Sequence, residues 1–162
     1  MASDYHLKLD GIEGESKKTG YENQIDVSSW QFGGGNPVVI SGGGMSAGKV
    51  TFSEITFTGK VDKSTPKMLN KMAKGEHINS AVLTCLKSTG ATTTGAFLTV
   101  TLKEVYVTNL SISGSEGTND EMEAFSLAYG DIELDYKIQD ESGTLSSAGE
   151  FEYDLKAEEV KK

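Results

Sequence analysis

The stretch from residue 97 to residue 113 reads FLTVTLKEVYVTNLSIS, and it decides the fold class. Its apolar residues alternate with polar ones, and a period of two predicts a half-buried β-strand. The parity of the alternation changes after Glu104 and again before Leu110, as a β-bulge requires. The apolar positions are Leu98, Val100, Leu102, Val105, Val107, Leu110 and Ile112. The pattern predicts one long strand bent at bulges, which is how small barrels turn their corners.

Residues 122–139 repeat this behaviour further along the chain. Apolar side chains occupy odd positions up to Tyr129 and even positions from Ile132 onward, and the switch falls at Gly130. We interpret this stretch as a second long strand, bent at Gly130.

Shorter alternating runs lie on either side of these two stretches. They cover residues 5–10, 22–32, 49–58, 78–87 and 151–155, and a charged tail follows at 156–162. In the third run the parity slips between Phe52 and Ile55, which predicts another bulge. With 19 glycines and 2 prolines, the chain favours an all-β fold rich in turns. We therefore predict a compact antiparallel β-barrel or sandwich, as a single domain over residues 1–162.

One short flanking α-helix is predicted at about residues 64–75. Ser64 or Thr65 could accept hydrogen bonds from the free N–H groups of the first turn, and Pro66 suits that turn. Gly75 suits the position just past the last turn. The predicted apolar side of the helix consists of Met68, Leu69 and Met72.

The charge of the chain excludes some partners. The formal net charge is −9, the pI is near 4.7, and the chain contains no arginine. A chain of this charge repels phosphate backbones, so nucleic-acid binding is not expected. No apolar stretch approaches the ~20 residues needed to span a bilayer. Residues 1–6 contain neither the basic nor the apolar part of a secretory signal, so we expect the protein to be cytoplasmic before any export.

The residues that could carry chemistry form no site that we can identify, and we expect no catalytic, cofactor or metal residues. Residues 43–49 match the start of a phosphate-binding loop, but Val50 and a strand pattern follow where a Ser or Thr and a helix should stand. His6 and His77 are expected to be exposed, and Cys85 to be buried. Three carboxylates, Asp131, Glu133 and Asp135, are expected to share one face of a strand, facing either solvent or another subunit.

Several short pieces together resemble one family, the haemolysin co-regulated proteins (Hcp) of bacterial type VI secretion systems. The pieces are Gly14-Glu15-Ser16, Ile25-Asp26-Val27 followed by Trp30, Ala47-Gly48-Lys49-Val50, Asp62-Lys63-Ser64-Thr65-Pro66 and Leu102-Lys103-Glu104-Val105. The resemblance runs from about Tyr5 to Leu155. It implies a β-barrel with a flanking helix, assembling as a homohexameric ring with a wide channel.

The resemblance also implies partners and a route out of the cell. Rings of this family stack into a tube inside a contractile sheath, carry a spike protein of the VgrG family at the tip, and can hold small effector proteins in the channel. The tube is then secreted through the type VI apparatus without a signal peptide.

Two regions are candidates for contacts in such an assembly. The glycine-rich stretch 33–48 is predicted to be a long, flexible excursion that reaches the next ring. Its candidate stacking residues are Gly33, Gly34, Gly35, Asn36, Pro37, Val38, Val39, Ile40, Gly42, Gly43, Gly44 and Met45. Gln31 points opposite to Trp30 and Phe32 on its strand, and is therefore a candidate for the channel lining.

Two other functions remain open at this point. A monomeric β-barrel that binds a small ligand or carbohydrate would have one aromatic-lined pocket and would not form rings. An enzyme whose active site assembles in space would need residues that no sequence motif indicates.

Overall fold

The computed structural model describes residues 4–88 and 94–162. Within these residues it contains short and long β-strands and a helix, α1, at Ser64–Lys74. The strands are β1 Asp4–Leu9, β2 Ile25–Val27, β3 Ser29–Gln31, β4 Gly34–Gly35, β5 Val38–Ser41, β6 Gly44–Ala47, β7 Thr51–Phe52, β8 Ile55–Lys60, β9 Ile78–Ser88, β10 Thr94–Ser113, β11 Met122–Ala128, β12 Asp131–Gln139, β13 Leu145–Asp154 and β14 Glu159–Val160.

The long strands form two layers that share β10. The first layer has the antiparallel order β2-β1-β9-β10-β12-β13-β14, and the second has the order β10-β11-β8-β3. The predicted antiparallel β fold with one flanking helix is confirmed. The sheets do not close into a barrel: among the described residues β2 pairs with β1 and β3 pairs with β8, and no ladder joins the free edges of the two layers. The architecture is an open sandwich.

The two layers meet at a corner formed by β10 and the start of β12. Glu104 adopts a positive φ of 52°, which reverses the parity of the strand as the sequence predicts. The backbone N–H of Gly130 lies 2.9 Å from the carbonyl oxygen of Lys103 and 3.2 Å from that of Glu104. A second shift in register lies between Val107 and Asn109, which confirms the second predicted bulge.

Residues 122–139 are not one bent strand as predicted. They are two strands in different layers: β11 pairs with the second half of β10, from Tyr106 onward, and β12 pairs with its first half. Gly130 is the point where the chain leaves one layer and enters the other. A bend within a strand and a change of layer produce the same switch of parity, so the sequence pattern alone does not distinguish them.

The same correction applies to two other runs. Residues 22–32 divide into β2 and β3 at Ser28, whose N–H donates to the carbonyl oxygen of Thr58 at 2.7 Å. Residues 49–58 divide into β7 and β8.

The tail contains a strand that was not predicted, β14, which pairs with the end of β13. Its short run of mixed charged and apolar residues has no alternation to detect.

A single apolar core fills the space between the layers and beneath the helix. Phe57 of β8 and Phe125 of β11 stack with ring centroids 5.2 Å apart, and Met68 of α1 is fully buried in the same cluster. Burying a side chain of that size contributes about 1.5–3 kcal/mol. This contribution holds a helix that would be marginal in isolation.

The ends of α1 agree only partly with the prediction. Gly75 lies just past the last turn, as predicted, with a left-handed φ of 68°; its N–H and that of Glu76 donate to carbonyls of the last turn, which is a Schellman motif. At the start, the acceptor is the carboxylate of Asp62, which receives the N–H of Ser64 at 2.8 Å. Thr65 instead accepts the N–H of Asp62 through its hydroxyl. The prediction of Ser64 or Thr65 as the capping acceptor was therefore wrong by a few residues.

Candidate assembly surfaces

The residues that could carry chemistry are mostly engaged in packing. Cys85 is buried, as predicted, and burial raises the pKa of its thiol to about 11. His77 is exposed, but His6 is buried, contrary to the prediction. Its Nδ1 lies 3.1 Å from a carboxylate oxygen of Asp26, and its ring stacks on Tyr21 at 5.0 Å.

The described residues contain no cluster of three or more metal-ligating side chains, and no helix in this part of the chain is long and apolar enough to cross a membrane.

The motif Gly14-Glu15-Ser16 places the segment before β2 against the sheet. A Cβ atom at Gly14 would lie 2.6 Å from the carbonyl oxygen of Gln24, so only glycine fits. Ser16 is buried, and its hydroxyl lies 3.4 Å from Nδ1 of His6. These contacts give the motif a structural role.

The glycine-rich stretch forms a β-hairpin and not an irregular excursion. Strands β5 and β6 pair from Val38 and Ala47 to Ser41 and Gly44. Gly42 and Gly43 connect them with φ values of 55° and 87°; a two-residue turn with both values positive favours glycine. Strand β7, and not a helix, comes directly after Lys49 and Val50, so the resemblance of residues 43–49 to a phosphate-binding loop is superficial.

The β5–β6 hairpin exposes an unusual amount of apolar surface. Ile40 is 74% exposed and Met45 is 71% exposed, and the two residues are directly paired. Because side chains alternate across a strand, Val38 and Ala47 share their face, while Ser46 lies on the other. The hairpin rises from a base held by the β4–β7 pair and by a hydrogen bond from the N–H of Ser53 to the carbonyl oxygen of Gly33 at 2.8 Å.

The outward face of the second layer presents neutral polar side chains around Gln31, with one carboxylate, Glu54, accepting a hydrogen bond from the hydroxyl of Thr108 at its edge. This residue is exposed at the end of β3 and pairs with Thr56 of β8. Thr56 in turn lies opposite Ser126 of β11, with their hydroxyls 3.1 Å apart. Asn109 of β10 lies opposite Ser126 on the far side. We call this the neutral face.

The outward face of the first layer carries a dense set of carboxylates, which we call the carboxylate ladder. It consists of three directly opposed cross-strand pairs, Asp131 with Asp154, Glu133 with Glu152, and Asp135 with Glu150. The prediction that Asp131, Glu133 and Asp135 share one face is confirmed. Like charges directly opposite one another destabilise a sheet, so the ladder needs compensating cations.

Three lysines supply part of that compensation. Lys161 Nζ lies 3.7 Å from a carboxylate oxygen of Asp131 and 3.3 Å from one of Asp154. Lys162 Nζ lies 2.8 Å from Glu133, and Lys103 Nζ lies 3.5 Å from Glu152. The tail that carries Lys161 and Lys162 is held in place by β14 and by the N–H of Lys161, which donates to the carbonyl oxygen of Glu152 at 2.8 Å.

Asp131 is the carboxylate of the ladder with the least favourable surroundings. It is 6% exposed, and among the described residues neither of its carboxylate oxygens accepts a hydrogen bond. Burial, with the carboxylate of Glu152 beside it, raises the pKa of Asp131 above its usual value. The pKa of Asp154 is shifted in the opposite direction. Its carboxylate accepts hydrogen bonds from the N–H groups of Lys156 and Ala157 at 2.9 Å each. These bonds lower its pKa.

Comparison with known proteins places the chain among secretion proteins. The family model for the type VI secretion system effector Hcp matches residues 6–136. Protein hcp1 of Pseudomonas aeruginosa is 35% identical over 144 residues, which is 88% of this chain and 88% of that protein. The solved structure of a type six secretion system protein aligns over 99% of this chain and 100% of the other protein's chain, with a TM-score of 0.91 and 25% identity. Hcp1 from Salmonella typhimurium covers 99% of both chains, with a TM-score of 0.79 and 28% identity.

Asp131→Asn should raise the melting temperature at neutral pH, by an amount on the order of 2–4 °C. Because the pKa of Asp131 is higher in the folded chain than in the unfolded chain, where it is near 3.8, the folded state loses stability as pH rises above 3.8. The gain should therefore shrink as pH falls toward that value. Thermal unfolding between pH 3.5 and 8 tests this.

Asp154→Asn is the matched control, with the opposite sign. Because the pKa of Asp154 is lowered by hydrogen bonds, its stabilisation is present at neutral pH and lost as pH falls. This variant should melt lower than the wild type at pH 7. A melting temperature of Asp131→Asn at or below that of the wild type at pH 7 would mean that the ion pair with Lys161 outweighs the burial cost.

Proposed function

The chain belongs to the Hcp family, whose members are the tube proteins of type VI secretion systems, and we propose that it forms hexameric rings that stack into the expelled inner tube. The observation that carries the proposal is the β5–β6 hairpin, which a single chain leaves almost entirely in solvent. Exposed apolar patches on small proteins mark interaction sites. A subunit that works only in contact with copies of itself accounts for such a hairpin.

The hairpin is proposed to contact the next ring of the stack. Its apolar face, with Val38, Ile40 and Met45, projects away from the core. It is also internally paired, so its shape is set before it meets a neighbour. Burying a pre-formed apolar surface costs less conformational entropy than ordering a loose loop.

The neutral face around Gln31 is proposed to line the channel. The carboxylate ladder lies on the outward face of the other layer, so the two outer faces of the sandwich differ sharply in charge. A channel lined mainly by small neutral polar side chains, with Glu54 at the edge of the face, neither attracts nor repels cargo strongly on the basis of charge. Small effector proteins of either charge could then be carried.

The further partners follow from the tube role. They are a spike protein of the VgrG family at the tip and a contractile sheath around the tube. We propose that the protein is cytoplasmic until the apparatus fires and is then secreted without a signal peptide. The excess of acidic residues argues against nucleic acid as a partner. Its role is structural and not enzymatic.

A monomeric ligand- or carbohydrate-binding protein is the alternative. A groove of about 510 Å³ lies between the end of β1 and α1, and is lined mainly by charged side chains and glycines, including Lys8, Glu13, Glu22 and Lys67. A sugar site would present aromatic rings to stack on, and this groove has none. No observation favours this alternative over the ring.

The oligomeric state tests the proposal directly. Size-exclusion chromatography with light scattering should give about six times the 17.3 kDa chain mass, and negative-stain images of the same peak should show rings. A single-chain mass at every concentration, without rings, would refute the ring and favour the monomeric alternative.

Ile40→Asp should prevent stacking while leaving rings intact, because it places a charge in the apolar face of the hairpin. Ser46→Asp is the matched control, since it adds the same charge to the other face. Sedimentation velocity at rising concentration should show species larger than one ring for the wild type and for Ser46→Asp, and single rings for Ile40→Asp. Equal stacking by both variants would exclude this face of the hairpin from the contact.

Gln31→Cys, labelled with maleimide-linked nanogold, should place gold density inside the ring in averaged images. The only native thiol, Cys85, is buried with a raised pKa, so the unsubstituted chain serves as the unlabelled control. Density at the outer rim would mean that the neutral face points away from the channel.

A further inference from the structure

We propose that neighbouring copies in the ring recognise one another by charge, with a basic side of α1 on one copy facing the carboxylate ladder of the next. This inference rests on the proposed ring, and it names the two surfaces that set the ring's geometry. The occupant of each surface is a second copy of this chain.

The basic side of α1 is a stripe formed by Lys67, Lys71 and Lys74 of the helix and by Lys63 directly before it, which we call the lysine stripe. Residues spaced by four, four and three positions lie on the same side of a helix. The helix contains no acidic residue, although the chain as a whole has a net charge of −9. A positive surface on a strongly acidic protein is suited to an acidic partner.

The lysine stripe is only partly neutralised within the chain. Lys63 lies 3.6 Å from Glu13, and Lys71 lies 3.1 Å from Glu76. Lys67 and Lys74 form no ion pair with any residue that the structure describes. Half of the stripe is therefore available to another molecule.

The carboxylate ladder has the opposite imbalance. Its six carboxylates meet three ammonium groups, from Lys103, Lys161 and Lys162. The least compensated end is the pair Asp135 and Glu150. Lys162 is 4.0 Å from Glu150, and a buried carboxylate oxygen of Asp135 has no hydrogen-bond partner among the described residues.

The two surfaces lie at different places along the first layer, so they are separated within one chain. The lysine stripe borders the turn at Gly11 and Ile12, just after β1. The ladder lies on β12 and β13, and β9 and β10 separate β1 from β12. At about 4.8 Å per strand, β1 and β13 are roughly 19 Å apart. Complementary surfaces at different places on a subunit produce head-to-tail contacts, and these form a ring when the rotation from one copy to the next closes.

The spacing of the charges also matches. Lysines four residues apart on a helix are separated by about 6 Å along its axis. Alternate residues of a strand, such as Asp131, Glu133 and Asp135, are separated by about 6.6 Å. The two spacings are close to one another, so the least compensated end of the ladder, at Asp135 and Glu150, can face neighbouring lysines of the stripe on the next copy.

A charge-swap experiment tests this pairing. Lys67→Glu with Lys74→Glu should raise the concentration at which rings form by tenfold or more, because like charges then face each other. Adding Asp135→Lys and Glu150→Lys to the same chain should restore ring formation and return the net charge to that of the wild type. Rings are measured by light scattering, and the fold of each variant by circular dichroism and thermal unfolding.

The control separates this contact from general charge repulsion. Lys17→Glu with Lys87→Glu makes the same change in net charge away from the stripe, and its rings should form as in the wild type. Rings from the wild type and equally from Lys67→Glu/Lys74→Glu would refute the pairing and leave the ring itself standing. A folded four-fold variant that does not recover rings would also refute it, whereas a wild type that forms no rings refutes the proposed function.

Discussion

The whole architecture depends on one shared backbone contact, the N–H of Gly130 against the carbonyls of Lys103 and Glu104. This contact joins the middle of β10 to the point where β11 ends and β12 begins, so both layers are anchored to one strand. The positive φ of Glu104 turns the strand there and lets its two halves present apolar residues to the same core. Without that turn, one half of β10 would point its apolar side chains into solvent.

The fold class, the helix and the position of this corner could be predicted from the sequence, because each one determines how apolar residues are spaced along the chain. Gly130 and Glu104 were both identifiable as points where parity changes. Parity does not reveal the partner of each strand, so the sequence pattern predicts β11 and β12 as one element. The strand β14 and the capping role of Asp62 were missed for a related reason, since each depends on a contact with a distant or unexpected backbone group and not on periodicity.

The candidate surfaces were predictable to different degrees. The glycine-rich stretch was identified by its composition, but its hairpin depends on the pair Gly42 and Gly43, whose positive φ values only the structure reveals. The shared face of Asp131, Glu133 and Asp135 followed from alternation alone, whereas the opposing carboxylates of β13 required the register between the strands. The burial of His6 was missed because it depends on Tyr21, which lies in a segment without regular structure. The three candidate surfaces therefore differ in polarity and charge. The hairpin is apolar, one outer face is mainly neutral and polar, and the other outer face is acidic.

The burial of Cys85 has a consequence for the redox behaviour of the chain. Its thiol is the only one in the sequence, and it is buried with a raised pKa. A thiol in that state reacts slowly with oxidants and with disulfides. A subunit that moves from a reducing to an oxidising compartment can therefore keep the same covalent structure, and no covalent bond between copies has to be broken for a tube to come apart.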